Sequence, residues 1–217
     1  QKANMTPHQL VMTATPIPRS LTMTAYADLD TSIIDELPPG RQKIETVALS
    51  NLRRDELITK IKKISQVGRQ IYWVCTLIEE SEALRAESAE KTFTYLSNNL
   101  EDEKVVMIHG RLNKTEKETI MKDFSNGKID LLVATTVIEV GVNVPNASLM
   151  VVENAERLGL AQLHQLRGRV GRGAEKSVCI LMYQSPPSET AKQRLDILRQ
   201  SNDGFMIAQK DLELRGP

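Results

Sequence analysis

Three arginines stand within nine residues in QLRGRVGRG (165–173), interleaved with three glycines and with no acid in the stretch. Planar guanidinium groups form two-point hydrogen bonds with phosphate oxygens, so Arg169 and Arg172 suit a phosphate-bearing ligand. If residues 163–172 are helical, those two arginines share a face. Gly168 and Gly171 then line the adjacent stripe, where another backbone or a ligand can come close. A helix-interior glycine costs about 1 kcal/mol relative to alanine, so the stretch should return some benefit. Basic residues near the negative end of a helix dipole are the plainer explanation. It covers Arg172 and leaves three clustered cations unexplained.

The chain has no GxxxxGK[ST] loop and no DExx box after a strand. It therefore cannot build a complete P-loop site. Arginines that serve a nucleoside triphosphate held elsewhere are arginine fingers, worth roughly 10³–10⁵ in rate. No GxGxxG follows any strand, which argues against a dinucleotide enzyme. A non-enzymatic interaction module is the other alternative, and a P-loop and DExx box upstream would decide for a motor.

Lys+Arg and Asp+Glu both number 28, for a formal net charge of zero. That balance argues against binding nucleic acid through bulk positive charge and leaves room for a narrow phosphate track. His8, His109 and His164 lack metal-ligand spacing, so no metal site is expected. Cys75 and Cys179 each sit in an apolar, strand-like run, as buried reduced thiols of an intracellular protein would. No apolar run approaches the roughly 20 residues that span a bilayer, and no membrane partner is expected.

The elements that must position these residues alternate regularly. Strands are expected at 43–49, 70–75, 104–110, 130–135, 148–152 and 177–183, several too apolar for one-sided burial. Helices between them carry apolar stripes such as Leu57, Ile61, Ile64 and Ala89, Phe93, Leu96, Leu100. Asn113 and Thr115 offer overlapping capping boxes with Glu116 and Glu118. The pattern indicates an α/β fold of three layers, αβα, with a mainly parallel sheet. A C-terminal helical hairpin follows Pro186-Pro187: Ser188 caps the first helix, and a second short helix carries Phe205, Ala208 and Leu212. Ligands bind such sheets at the carboxyl ends of strands. The short strand HQLVMTATP and the proline-rich connector to residue 40 precede this domain, and both ends look cut, as in a fragment.

Three stretches carry a family resemblance. TATPIPR (13–19), ATTVIEVGVNVP (134–145) and QLHQLRGRVGRG (162–173) resemble motifs III, V and VI of superfamily 2 helicases, in order and spacing. The connector ADLDTSIIDELPPGR (27–41), YWVCTLIEESE (72–82) and GFMIAQKDLELRGP (204–217) resemble the RecG family of bacterial branch-migrating DNA helicases. Transcription-repair coupling factors are the alternative. The resemblance implies that residues 1–40 are the end of a first RecA-like domain and a connector. It makes 41–185 the second RecA-like helicase domain and 186–217 the start of a translocation motif.

It further implies ATP and Mg²⁺, both held mainly by the missing N-terminal motor domain. It makes that domain, a wedge domain and branched double-stranded DNA the partners, in recombination and repair in the bacterial cytoplasm at the nucleoid. By the same resemblance, Arg169 and Arg172 face the ATP phosphates, joined by Gly141, Asn143 and Gln165. Asn143 stands where aspartate is common; it keeps hydrogen-bonding capacity but carries no charge. Gly110, Arg111 and Thr135 fall at the nucleic-acid phosphates, and Thr13, Thr15, Arg194 and Arg215 at positions that couple the nucleotide cycle to movement.

Overall fold

The computed structural model describes residues 42–76, 82–135, 144–173 and 175–215, with isolated positions before residue 42 and without the side chains of 82–86 and 215. Six strands form one sheet: β1 Glu45–Ser50, β2 Gln70–Cys75, β3 Val105–Ile108, β4 Leu131–Thr135, β5 Ala147–Val152 and β6 Val178–Tyr183. Their order is β1-β6-β5-β2-β4-β3, and every pairing is parallel. Six helices alternate with them: α1 Arg54–Gln66, α2 Glu82–Asn99, α3 Lys114–Ser125, α4 Leu160–Arg167, α5 Glu189–Gln200 and α6 Gly204–Arg215. The HQLVMTATP strand and most of the connector lie outside the described residues.

Side chains alternate across each strand, which divides the core into two faces. Ile71, Trp73 and Cys75 of β2 pack with Leu131, Val133 and the helices α1 and α2. Tyr72 and Val74 point the other way, into a cluster with Leu132, Ala134 and residues of α3, α4, α5 and α6. This is the expected three-layer αβα fold. The neighbouring inner strands β2 and β4 are buried along their whole length, as their largely apolar runs require.

Local signals set most boundaries. Asn113 caps α3 through a reciprocal capping box with Glu116, while Thr115 lies inside the helix. Ser188 caps α5, and Ala191, Leu195 and Leu198 are its buried stripe. Ser50 caps a short 3₁₀ turn, Asn51–Arg53, from which α1 continues.

Ile207 is the buried anchor of α6, whereas Leu212 is 43% exposed and Phe205 and Ala208 are half-buried. Apolar residues run round this helix on several sides, so periodicity selects no face, and packing against α4 decides. The hairpin is also no outlying appendage: Leu195, Leu198 and Ile207 share one apolar cluster with Leu163 and Val170.

Candidate functional site

The arginine stretch is built differently from a helical stripe. Helix α4 stops at Arg167, with Gly168 as its C-cap. Two tight turns follow, in which Arg169 N–H donates to the Leu166 carbonyl (2.9 Å) and Val170 N–H to that of Arg167 (3.3 Å). Val170 is fully buried in the core. Gly171 then takes φ +75°, a left-handed conformation that ends any helix. The expectation of a helix through residue 172 is therefore corrected. Arg169 and Arg172 project from a loop, and no glycine stripe forms.

The loop also runs away from the carboxyl edge of the sheet. A side chain at Gly171 would meet Ile44, just before β1, and one at Gly173 would meet the Pro145 carbonyl, just before β5. Both neighbours mark the amino ends of strands. The rule that ligands lie at carboxyl ends does not place this motif, because α4 carries the chain back across the sheet face.

The three arginines divide into two kinds. Arg167 is 2% exposed. Its guanidinium donates to the carbonyls of Leu198 (2.7 Å) and Ser201 (2.8 Å) and to Thr46 Oγ1 (3.2 Å), and it pairs with His164 Nδ1 at 2.9 Å. Burial holds it below the ordinary arginine range, with the Cys179 sulfur opposing that shift. Arg167 thus ties α4 to the end of α5.

Arg169 is half-buried and Arg172 is exposed. Burial first, and then the Arg172 charge, lower the pKa of Arg169. Every ion pair among the described residues uses other cations. Arg172 Nε is committed to the Gly168 carbonyl at 3.4 Å, which orients the fork. Beneath them lies Tyr72, whose phenol is pushed up to about 12 by burial, an effect that Arg169 and Arg172 partly oppose. Two neighbouring guanidiniums with no described carboxylate partner form a ready set of donors for phosphate oxygens. Gln165, one turn earlier, is exposed on α4.

A second group gathers at the carboxyl edge. Ile108 pairs with Ala134 in the β3–β4 ladder, so His109-Gly110 and Thr135 leave adjacent strands side by side. Thr135 is 8% exposed, while Gly110 and Arg111 are exposed. Lys117 Nζ donates to the Gly110 carbonyl at 3.1 Å. This brings an ammonium to the same turn, a placement that the motif pattern did not reveal. The signal was present in the spacing: after a cap at Asn113, the second turn of α3 folds back over Gly110.

Arg194 donates to the Glu156 carbonyl at 3.1 Å and also to that of Leu158. It therefore fixes the loop that leads into α4. Thr13, Thr15, Gly141 and Asn143 lie outside the described residues, and Arg215 ends α6 with only its backbone described.

A family model described as the helicase conserved C-terminal domain matches residues 53–174. The ATP-dependent DNA helicase RecG of Escherichia coli (strain K12) is 62% identical over 218 aligned residues, which cover 100% of this chain and 32% of that protein. RecG of Haemophilus influenzae is 59% identical with the same coverage. A solved structure of RecG bound to a three-way DNA junction superposes with a TM-score of 0.80 at 45% identity, covering 94% of this chain and 26% of that one. The chain thus spans about a third of the length of the curated relatives it matches. With the six-stranded parallel sheet, the arginine loop and the match across 53–174 in agreement, the chain belongs to the helicase conserved C-terminal domain family.

Proposed function

We propose that this chain is the second motor domain of an ATP-driven translocase that acts on branched double-stranded DNA in recombination and repair. The observation that carries the reading is the pair Arg169 and Arg172, unpaired by any described carboxylate and oriented from a pinned loop. The identity with RecG helicases supports the choice of motor and of DNA substrate. A preceding RecA-like domain, ended by residues 1–40, would contribute the P-loop and hold Mg²⁺. A wedge domain of the same full-length protein would open the junction.

The arginine pair fits a polyphosphate by charge and by fork geometry. ATP supplies the phosphoryl group whose hydrolysis drives the cycle. Arg169 and Arg172 balance the charge that builds on its γ-phosphate when the two domains close. By the motif resemblance, Gln165, Gly141 and Asn143 would contact the same nucleotide. At the carboxyl edge, Thr135, Gly110, Arg111 and Lys117 hold phosphates of one DNA strand, contacts that position without reading sequence. Thr13 and Thr15 relay the nucleotide state from the first domain. Arg194 and Arg215 pass the step to the hairpin.

Steady-state ATPase assays test the reading. The isolated chain is expected to show no hydrolysis, and measurable turnover by it would contradict the P-loop assignment. In the full-length protein, Arg169→Ala should abolish DNA-stimulated hydrolysis with the circular dichroism spectrum unchanged. Near-normal turnover in that variant removes the finger role.

A further inference from the structure

We propose that Gly173 is a positioning residue, whose close approach to the Pro145 carbonyl seats the Arg169–Arg172 loop against the stretch leading from Thr135. The inference rests on the phosphate role proposed for Arg172. A Cβ at residue 173 would lie 2.5 Å from Pro145 O, far inside ordinary contact, and 3.4 Å from its carbonyl carbon, at the near limit of such contact. Gly173, unlike Gly171, does not have a left-handed φ. Space, and not backbone conformation, therefore demands glycine there.

The Pro145 side of the contact is held fast. Val144 is buried at 1% exposure, and its carbonyl accepts from Ala147 N–H at 3.1 Å. Asn146 Nδ2 donates to the Gly68 carbonyl at 2.6 Å, and the Asn146 carbonyl accepts from Gln70 N–H at 3.2 Å. Val170 is equally fixed on the other side, inside the core. An added atom at 173 is therefore absorbed between the buried anchors Val170 and Ser177, and Arg172 lies in that interval. Pro145 and Thr135 belong to the same stretch, ATTVIEVGVNVP. The contact accordingly joins the arginine loop to the chain that leaves the nucleic-acid edge.

Gly68 and Gly127 provide the contrast. Both have positive φ, and a Cβ at either would meet nothing within 4 Å. Alanine at Gly127 strains a turn without displacing a neighbour.

The test compares Gly173→Ala, Gly127→Ala and Arg172→Ala in the full-length protein, reading kcat and KM for DNA-stimulated ATP hydrolysis beside the thermal midpoint. Gly173→Ala should lower kcat on the order of 100-fold, the scale of a 1 Å misplacement. Its KM should stay near wild type and its midpoint should fall no further than that of Gly127→Ala, which should keep wild-type kcat. Normal kcat in a folded Gly173→Ala protein overturns the proposal. So does a kcat loss that Gly127→Ala matches at equal midpoint. Normal turnover in Arg172→Ala overturns the underlying phosphate role, and this inference with it. If Gly173→Ala does not fold, Pro145→Ala approaches the contact from the other side by freeing a constrained backbone. A kcat loss at unchanged KM then supports the proposal, and wild-type kcat overturns it.

Discussion

Arg167 shares a motif with Arg169 and Arg172 and does a different job. It spends its donors on two backbone carbonyls, a hydroxyl and a histidine ring. Arg167→Ala would leave the Leu198 and Ser201 carbonyls buried without that partner, at about 1–3 kcal/mol each. A urea titration of the isolated chain should therefore show a loss of about 3 kcal/mol. Arg167→Lys should recover only part of it, because one ammonium cannot span four acceptors set around a planar fork. Type and spacing in the sequence present the three arginines as one cluster. They do not reveal that Arg167 is buried, because its burial depends on α5, which arrives some thirty residues later and packs over it.

At the scale of elements, the short-range signals proved most legible. The Asn113 capping box and the Ser188 cap are set by neighbours three residues away, and both form as their sequences suggest. Asn113→Ala should cost about 1 kcal/mol in thermal or urea unfolding. It should also loosen the turn at Gly110, because α3 carries Lys117. The six strands were equally legible, since most of them are short, largely apolar runs that admit few alternatives. Less legible were the end of α4 and the face of α6. A helix through 172 satisfies local periodicity, but Val170 enters the core and Gly171 turns left-handed, both of which are tertiary choices. Helix α6 offers apolar residues on several sides, so its partner selects the face.

At the scale of the whole molecule, the two candidate groups sit toward opposite ends of the strands, Arg169 and Arg172 near the amino ends and Thr135 with Gly110 at the carboxyl ends. The sheet between them is rigid because both its faces are covered. That burial extends to its titratable groups. Burial pushes Cys75, on one face, from 9.0 up to about 11, with a Thr92 hydrogen bond and Arg54 opposing the shift. It pushes Cys179, on the other face, from 9.0 up to about 12, against a smaller opposing effect of Arg167. In both cases the folded pKa lies above the unfolded one. Their contribution to stability is therefore complete below pH 9 and is lost as pH rises, from 9 toward 11 for Cys75 and toward 12 for Cys179. Urea midpoints should hold steady across neutral pH with respect to these groups and fall above pH 9. A thiol reagent at pH 8 should label both cysteines only after unfolding, and rapid labelling of the native chain would contradict their burial.

The strand order carries a consequence for synthesis. Among the described residues, the first strand, β1, has a single partner, and that partner is the last strand, β6. As the chain leaves the ribosome, β2 to β5 can assemble while β1 waits without its partner strand. Only when β6 emerges does β1 find its place, and Ile44 with it beneath Gly171. The arginine loop is thus seated only once β6 has been made, so a chain still lacking β6 does not present the finished loop.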